Sequence, residues 1–238
     1  VQLVGRIVHG LGRRDRGGQD VFVFVVGRDE DVDDRQLVVV FAFKRRGDGR
    51  VITRVRLATR HPAVGPDTFA ARWADAVAAA AAAPTAPLRV VAATALTEVC
   101  GADPRHDGVA LESFADDAHL AAFEAWLASP AGVAATTAIG ELLDESTSPV
   151  LVADEHVLRG ADWLAAHRRA GRPALVHMAL ARRAPGLSAA ELSERWRSHA
   201  GRLGRPGAEV VIPDEVRGRA YAQLHPRPHP EGGEWAYD

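Results

Sequence analysis

The sequence predicts an α+β fold, in which a short antiparallel β-meander precedes two copies of a β-α-β-β-α-β unit. Three observations predict it. Residues 1–60 contain runs of β-branched and aromatic residues that have the length of strands. A block that starts with proline and ends in Arg-Trp occurs at 62–73 and again at 185–196. After each block, the apolar spacing alternates between the periods of helix and strand.

The composition is that of a globular protein in water. The chain has 238 residues, of which 47% are hydrophobic and 25% are charged. A net charge of -2 argues against a nucleic-acid-binding domain, and no apolar run is long enough to span a membrane. A signal peptide is not visible, and the single cysteine, Cys100, excludes an intrachain disulfide. A cytoplasmic protein is therefore expected.

The N-terminal sixty residues read as strands joined by polar turns. Apolar and β-branched residues predict strands at 2–9, 21–26, 37–43 and 51–57, and Arg46-Gly47-Asp48-Gly49 supplies a hairpin turn. We expect strands 21–26 and 37–43 to pair with 51–57 in one antiparallel meander.

The repeated block is the strongest internal signal. At an offset of 123 residues (185 minus 62) and without a gap, the matching pairs are Pro62 with Pro185, Phe69 with Leu192, and Trp73 with Trp196. In the second copy, Ser188 and Glu191 have the spacing of a capping box at the start of a helix. Both tryptophans are predicted at equivalent buried positions against a sheet.

Each copy reads as a split βαβ, ferredoxin-like unit. In the first copy we expect strands at 50–59, 88–99, 108–114 and 150–157, with helices after residue 66 and over 116–143, the latter interrupted at 129–132. In the second we expect a connecting helix at 162–170, strands at 174–181 and 216–225, and a helix at 189–203. The second copy then stops, and the chain opens on Val1, so a fragment lacking about 50 C-terminal residues is expected.

Two families resemble parts of this chain. The aromatic strand at 39–43, with Asp48-Gly49-Arg50 and strand 51–56, is similar to the closing hairpin of SnoaL-like domains, which share a cone-shaped α+β fold with ketosteroid isomerases. No catalytic residue follows from that resemblance. Residues 175–238 resemble an EthD-type domain of the dimeric α/β-barrel superfamily through three motifs in the family's order: 182–188, 191–199 and 221–226 with the strand entry at 235–238.

These resemblances imply a domain organisation. Residues 1–60 are predicted as a partial SnoaL-like region, 50–159 as a degenerate first EthD-type unit, and 160–238 as a truncated second unit, with strand 50–60 shared between the first two. Where the second copy has His199, the first has Ala76. Tandem units of this kind imply a dimeric barrel in one chain, with two four-stranded sheets closing face to face around a pocket.

The resemblance and the residue spacing predict a site in the second copy. His199, Tyr221 and His225 are predicted to be catalytic, and Trp196 and Gln223 to contact the substrate. Tyr221, Gln223 and His225 alternate along one strand and share a side, so they converge on the cavity if that side faces the barrel interior. Histidine exchanges protons near neutral pH, and tyrosine donates to a carbonyl or enolate.

The function that the family implies is proton transfer on a small hydrophobic carbonyl or phenolic compound: dehydration, decarboxylation, isomerisation or cofactor-free oxidation. The family is linked to aromatic polyketide tailoring and ether degradation. The protein would thus be a lyase, an isomerase or a cofactor-independent oxygenase whose partner is a small molecule, with a homodimer left open. Cofactor motifs are not present, and the histidines around Pro226 lack the carboxylate or thiolate spacing of a metal site. The alternative is a non-catalytic binding or accessory protein of the same fold.

Overall fold

A computed structural model describes residues 6–10, 22–27, 51–96, 105–171, 178–200, 218–229 and 236–237. The α+β class is confirmed, since eight strands and five α-helices lie in these ranges. The strands are β1 (Arg6–Gly10), β2 (Phe22–Gly27), β3 (Val51–Ala58), β4 (Arg89–Leu96), β5 (Gly108–Phe114), β6 (Val150–Arg159), β7 (Met178–Leu180) and β8 (Tyr221–Pro226). The helices are α1 (Pro66–Ala81), α2 (Asp117–Leu127), α3 (Pro130–Leu142), α4 (Ala161–Ala170) and α5 (Ala189–Ala200). No helix in these ranges is both long and apolar enough to cross a membrane.

The central part of the sheet is antiparallel throughout. Strands β4, β5, β3, β6 and β8 lie side by side in that order, and each neighbouring pair is antiparallel. Along the chain, β3 to β6 follow the order strand, helix, strand, strand, two helices, strand. The predicted break in the second helical region is present: α2 ends at Leu127, and Ser129 caps the start of α3 by accepting from the backbone N–H of Gly132.

The N-terminal strands pair differently from the prediction. β1 is antiparallel to β2 and parallel to β4, and β2 also pairs with β7. β3 has β5 on one edge and β6 on the other. The expected pairing of 21–26 with 51–57 is therefore wrong, because both edges of β3 are occupied by other strands. Residues 37–43 themselves lie outside the described residues.

The second copy also departs from the predicted pair of facing sheets. All eight described strands belong to one sheet, in the order β7-β2-β1-β4-β5-β3-β6-β8. β7 and β8, both from the second copy, lie at its opposite ends. Yet Leu180 of β7 and Leu224 of β8 pack into the same apolar cluster as Val55 and Leu57 of the central strand. One apolar cluster therefore extends along one face of the sheet from β7 to β8.

The two faces of the sheet carry different layers. One face, here called the helix face, bears α1 and α3 packed on the side chains of Ala58, Val90, Ala92 and Ala110. The opposite face, here called the inner face, presents Val55, Leu57, Ala93, Val109 and Leu151. This alternation along each strand follows from the two-residue period of β-structure.

The repeated tryptophans are not equally buried. Trp73 is 1% exposed and stacks on Phe69 with the ring centroids 5.3 Å apart. Trp196 is only partly buried. The predicted capping box is present, since Ser188 Oγ accepts from the backbone N–H of Glu191 at 3.2 Å and Glu191 accepts from the backbone N–H of Ser188 at 2.9 Å.

Candidate functional site

The predicted site residues on β8 lie under helix α5. Tyr221, Gln223 and His225 alternate along the strand and share one side, as the spacing predicts. Gln223 is 3% exposed, whereas Tyr221 is 37% exposed. The neighbouring strand contributes His156, which pairs with Gln223 in register and whose ring meets the ring of His225 edge-on at 4.9 Å.

These side chains face the helix side of the sheet. Leu224, the residue between Gln223 and His225, packs into the inner-face cluster and pairs with Glu155. Because neighbouring residues on a strand point to opposite faces, Gln223 and His225 point away from the inner face. The condition for convergence on a barrel interior, that this side of β8 faces the inner face, is therefore not met in the described residues, and the roles of these side chains stay predictions. Gln223 and His225 are hydrogen-bonded to helix α5 instead.

A continuous chain of hydrogen bonds connects β8 to α5. The Gln223 side-chain Nε2 donates to the Trp196 carbonyl at 3.1 Å and to the Tyr221 hydroxyl oxygen at 3.1 Å. A carbonyl only accepts, so the amide nitrogen must face Trp196, and Gln223 Oε1 then faces His225. The His225 Nε2 lies 2.9 Å from that oxygen and must donate to it.

The orientation of Gln223 determines which nitrogen of His225 is the acceptor. With its proton on Nε2, neutral His225 has a free lone pair on Nδ1. The Ser193 hydroxyl lies 2.5 Å from Nδ1 and donates to it. The serine hydroxyl, the imidazole and the amide thus form a directed chain, in which the amide orients the imidazole and the imidazole accepts from serine.

The surroundings favour the neutral form of His225. Burial lowers the pKa of His225 to about 4, helped by the nearby charges of His156 and Arg197 and opposed by Asp154. The ring is therefore neutral near pH 7, as its role as an acceptor from Ser193 requires.

We expect His225 to make the protein less stable as the pH falls from about 6.5 to about 4. Between these pH values the unfolded chain binds a proton at His225, whereas the folded chain does not. The contribution of His225 to the free energy of unfolding is therefore fully present above pH 6.5 and is lost as the pH falls toward 4. Because the ring is only partly buried, the loss is roughly 1–2 kcal/mol. Urea unfolding of wild type and His225→Gln at several pH values measures it.

The variant should lose less stability than wild type across this window. Equal slopes for wild type and His225→Gln would contradict the assignment.

The structure brings together four of the five predicted site residues. Tyr221, Gln223 and His225 are joined by hydrogen bonds, and Trp196 takes part through its main-chain carbonyl. His199 belongs to α5, but its side chain lies outside the described residues, so its role stays a prediction. Sequence reasoning missed Ser193, although it precedes Trp196 by three residues and so lies on the same helix face.

A second polar cluster lies at one end of the inner face. The His106 ring is 3% exposed, with Nδ1 2.8 Å from the Thr59 hydroxyl and Nε2 2.8 Å from the Tyr237 hydroxyl. The guanidinium carbons of Arg105 and Arg182 lie 5.8 and 5.6 Å from the Tyr237 ring centroid. Burial raises the pKa of Tyr237, against the lowering effect of both arginines. These contacts connect the C-terminal segment to the first copy.

Comparisons with known proteins leave the family open. No family model matches the sequence, and no curated protein matches it. Within the part of the chain that the structure describes, no group of three His, Cys, Asp or Glu side chains is placed to hold a metal ion.

Proposed function

We propose that this protein is a small-molecule enzyme of the EthD type, which transfers protons on a hydrophobic carbonyl or phenolic compound. The strand order β4-β5-β3-β6, with helices between, supports a ferredoxin-like first unit. The observation that carries the function is the hydrogen-bonded chain Ser193–His225–Gln223–Tyr221. The SnoaL-like origin of residues 1–60 and the tandem arrangement of EthD-type units are parts of the same proposal.

Tyr221 is the group proposed to contact the substrate. Its oxygen accepts from Gln223, so its own proton remains available for a substrate carbonyl or enolate oxygen, and the side chain reaches solvent. Gln223 holds this phenol in place. Dehydration, decarboxylation, isomerisation and cofactor-free oxidation all place negative charge on such an oxygen, so one donor suits each of them.

The other end of the chain is proposed to accept protons. Ser193 is partly exposed, and its hydroxyl proton points at the free lone pair of His225. A proton taken up by the serine oxygen is balanced by transfer of the serine proton to Nδ1. His199 keeps its predicted place beside these groups as a further acid or base, and Trp196 as a substrate contact.

A non-catalytic role is the second candidate, and one observation favours it. Both ring nitrogens of His225 are already hydrogen-bonded, and Gln223 is 3% exposed. The same network therefore serves as a polar connection that holds α5 on β8 in a binding or accessory protein.

Exchange of carbon-bound protons for deuterium tests the enzyme proposal without knowledge of the natural substrate. In D2O, NMR of ethyl acetoacetate and phenylacetone should show α-proton exchange faster with the protein than in buffer. Tyr221→Phe and His225→Gln should lower the catalysed rate by about 10²–10⁴-fold.

Tyr237→Phe removes the other tyrosine hydroxyl and should leave the rate unchanged. Exchange no faster than in buffer, or a Tyr221→Phe rate equal to wild type, favours the non-catalytic candidate.

A further inference from the structure

The inner face carries a buried polar cluster on the opposite side of the sheet from the Tyr221 site. Its members come from β3, β4, β5, β6 and α4, and we call it the inner-face arginine cluster: Thr53, Arg89, Ser113, Glu155 and Arg168. Thr53 pairs with Ser113 and Ser113 with Arg89, so the three lie in one row across the sheet. Each strand member of the cluster is an even number of residues away from an inner-face residue on its own strand, for example Thr53 from Val55 and Glu155 from Leu151. Its side chain therefore points to the inner face.

The contacts in this cluster use only some of the N–H donors of the two arginines. The Arg168 guanidinium donates to the Glu155 carboxylate through both terminal nitrogens, one of them at 3.0 Å from Oε2. Arg89 lies 3.8 Å from the same carboxylate and donates to the Ser113 hydroxyl at 3.0 and 3.3 Å. A guanidinium has five N–H donors, so donors remain on both arginines.

Two further polar atoms in the cluster are buried without a partner. Arg168 Nε and Thr53 Oγ1 have no hydrogen-bond partner in the described part of the chain. Thr53 is 1% exposed. Buried donors and hydroxyls are nearly always paired in native proteins, so each unpaired one requires an explanation.

The charges in the cluster do not balance. Among the residues that the structure describes here, two guanidiniums face one carboxylate, and the side chains of Arg89, Glu155 and Arg168 are 14%, 6% and 25% exposed. Burial lowers the pKa of Arg89 to about 10, with a contribution from Arg168, so Arg89 stays protonated near pH 7. A buried excess of positive charge is unfavourable unless an anion lies beside it.

The backbone holds Arg168 in place over the inner face. α4 follows β6 directly through Gly160, whose φ of 67° is in the left-handed region. A Cβ at this position would lie 2.1 Å from the Arg219 carbonyl oxygen, so a glycine is required. This tight turn reverses the chain and brings the last turn of α4 back to Glu155, the sixth residue of β6.

We propose that the inner-face arginine cluster binds the carboxylate of a small molecule whose apolar part lies on the inner face. The planar forks of two arginines match the planar carboxylate, and Thr53 offers a hydroxyl beside them. Apolar side chains of the inner face, among them Val55, Leu111 and Leu151, adjoin the cluster along the same strands. The ligand class is therefore an aromatic or aliphatic monocarboxylate. This site is independent of the proposed function, because it lies on the opposite face of the sheet.

Calorimetric titration with benzoate and with benzamide tests the site. The two probes have the same ring and nearly the same shape, and only benzoate carries the charge. Benzoate should bind and benzamide should bind at least 10-fold more weakly. Arg168→Gln should weaken benzoate binding at least 10-fold, since it removes a charged donor. The neighbouring Arg169 is exposed, and Arg169→Gln should match wild type within 2-fold.

Several outcomes would overturn the proposal. These are absence of benzoate binding, equal binding of benzamide, binding of inorganic phosphate in preference to benzoate, and equal losses of benzoate affinity in Arg168→Gln and Arg169→Gln.

If circular dichroism shows that Arg168→Gln is unfolded, Thr53→Val is the variant that tests the site. This variant keeps the shape of the side chain and removes the unpaired hydroxyl, so it should weaken benzoate binding several-fold, and unchanged binding would refute the site. The exchange rates of ethyl acetoacetate and phenylacetone are a separate readout, so the failure of one proposal is distinguishable from failure of the other.

Discussion

Replacement of Trp73 by alanine should lower the free energy of unfolding by about 3–5 kcal/mol, because it removes a large ring from a closely packed core. The ring is 1% exposed, lies against Phe69, and its Nε1 donates to the Val109 carbonyl at 3.4 Å. The loss combines the removed apolar area with the cavity left between α1 and the sheet. Urea unfolding followed by circular dichroism measures it.

Trp196→Ala is the matched comparison for the same residue type in the second copy. Because Trp196 is only partly buried, we expect a loss well below that of Trp73→Ala. The repeat alone places the two rings at equivalent buried positions and so predicts equal losses of stability. The partial exposure of Trp196 makes its expected loss smaller. Equal losses would show that Trp196 is as closely packed as Trp73.

Replacement of Glu112 by glutamine should cost about 3–5 kcal/mol, because it leaves a buried guanidinium without its carboxylate. Arg54 lies 2.5 Å from Glu112, and the two side chains are 10% and 5% exposed. Arg56 is on the same face, and burial together with the charge of Arg54 lowers its pKa to about 10. Loss of Glu112 therefore leaves the buried Arg54 and the half-buried Arg56 on the helix face without this counter-charge.

The exposed pair Arg72–Glu141 is the control for this prediction. Its atoms lie 2.9 Å apart, but the side chains are 49% and 58% exposed. Glu141→Gln should cost at most about 1 kcal/mol. The double variant Arg54→Met, Glu112→Leu should be close to wild type, since it removes both charges together. If Glu112→Gln and Glu141→Gln lowered the free energy of unfolding by similar amounts, burial would not contribute to the strength of the Arg54–Glu112 ion pair.

Local patterns predicted most elements of the first copy. Trp73 is buried as predicted, and β3, β4, β5, α2, α3 and β6 lie close to their predicted bounds. The capping box at Ser188 formed as predicted. These features depend on residues within one or two helical turns of each other, or on the strict alternation of a strand, which a single sequence displays directly.

Local patterns did not predict which strands pair. An apolar strand has two edges that can each form hydrogen bonds with another strand, and its own sequence does not specify those partners. The strand at 22–27 matches its predicted position within one residue, yet its partners are β1 and β7. The polar runs that surround it resemble the turns of a meander equally well.

The sequence by itself determined that Tyr221, Gln223 and His225 share one side of a strand, because the two-residue period of a strand is local. Only the tertiary structure decided that the strand side faces α5, that Gln223 orients His225 toward Ser193, and that two arginines meet one carboxylate on the inner face. A strand presents both faces to its surroundings, and which of them meets a helix depends on distant segments folding back onto the sheet.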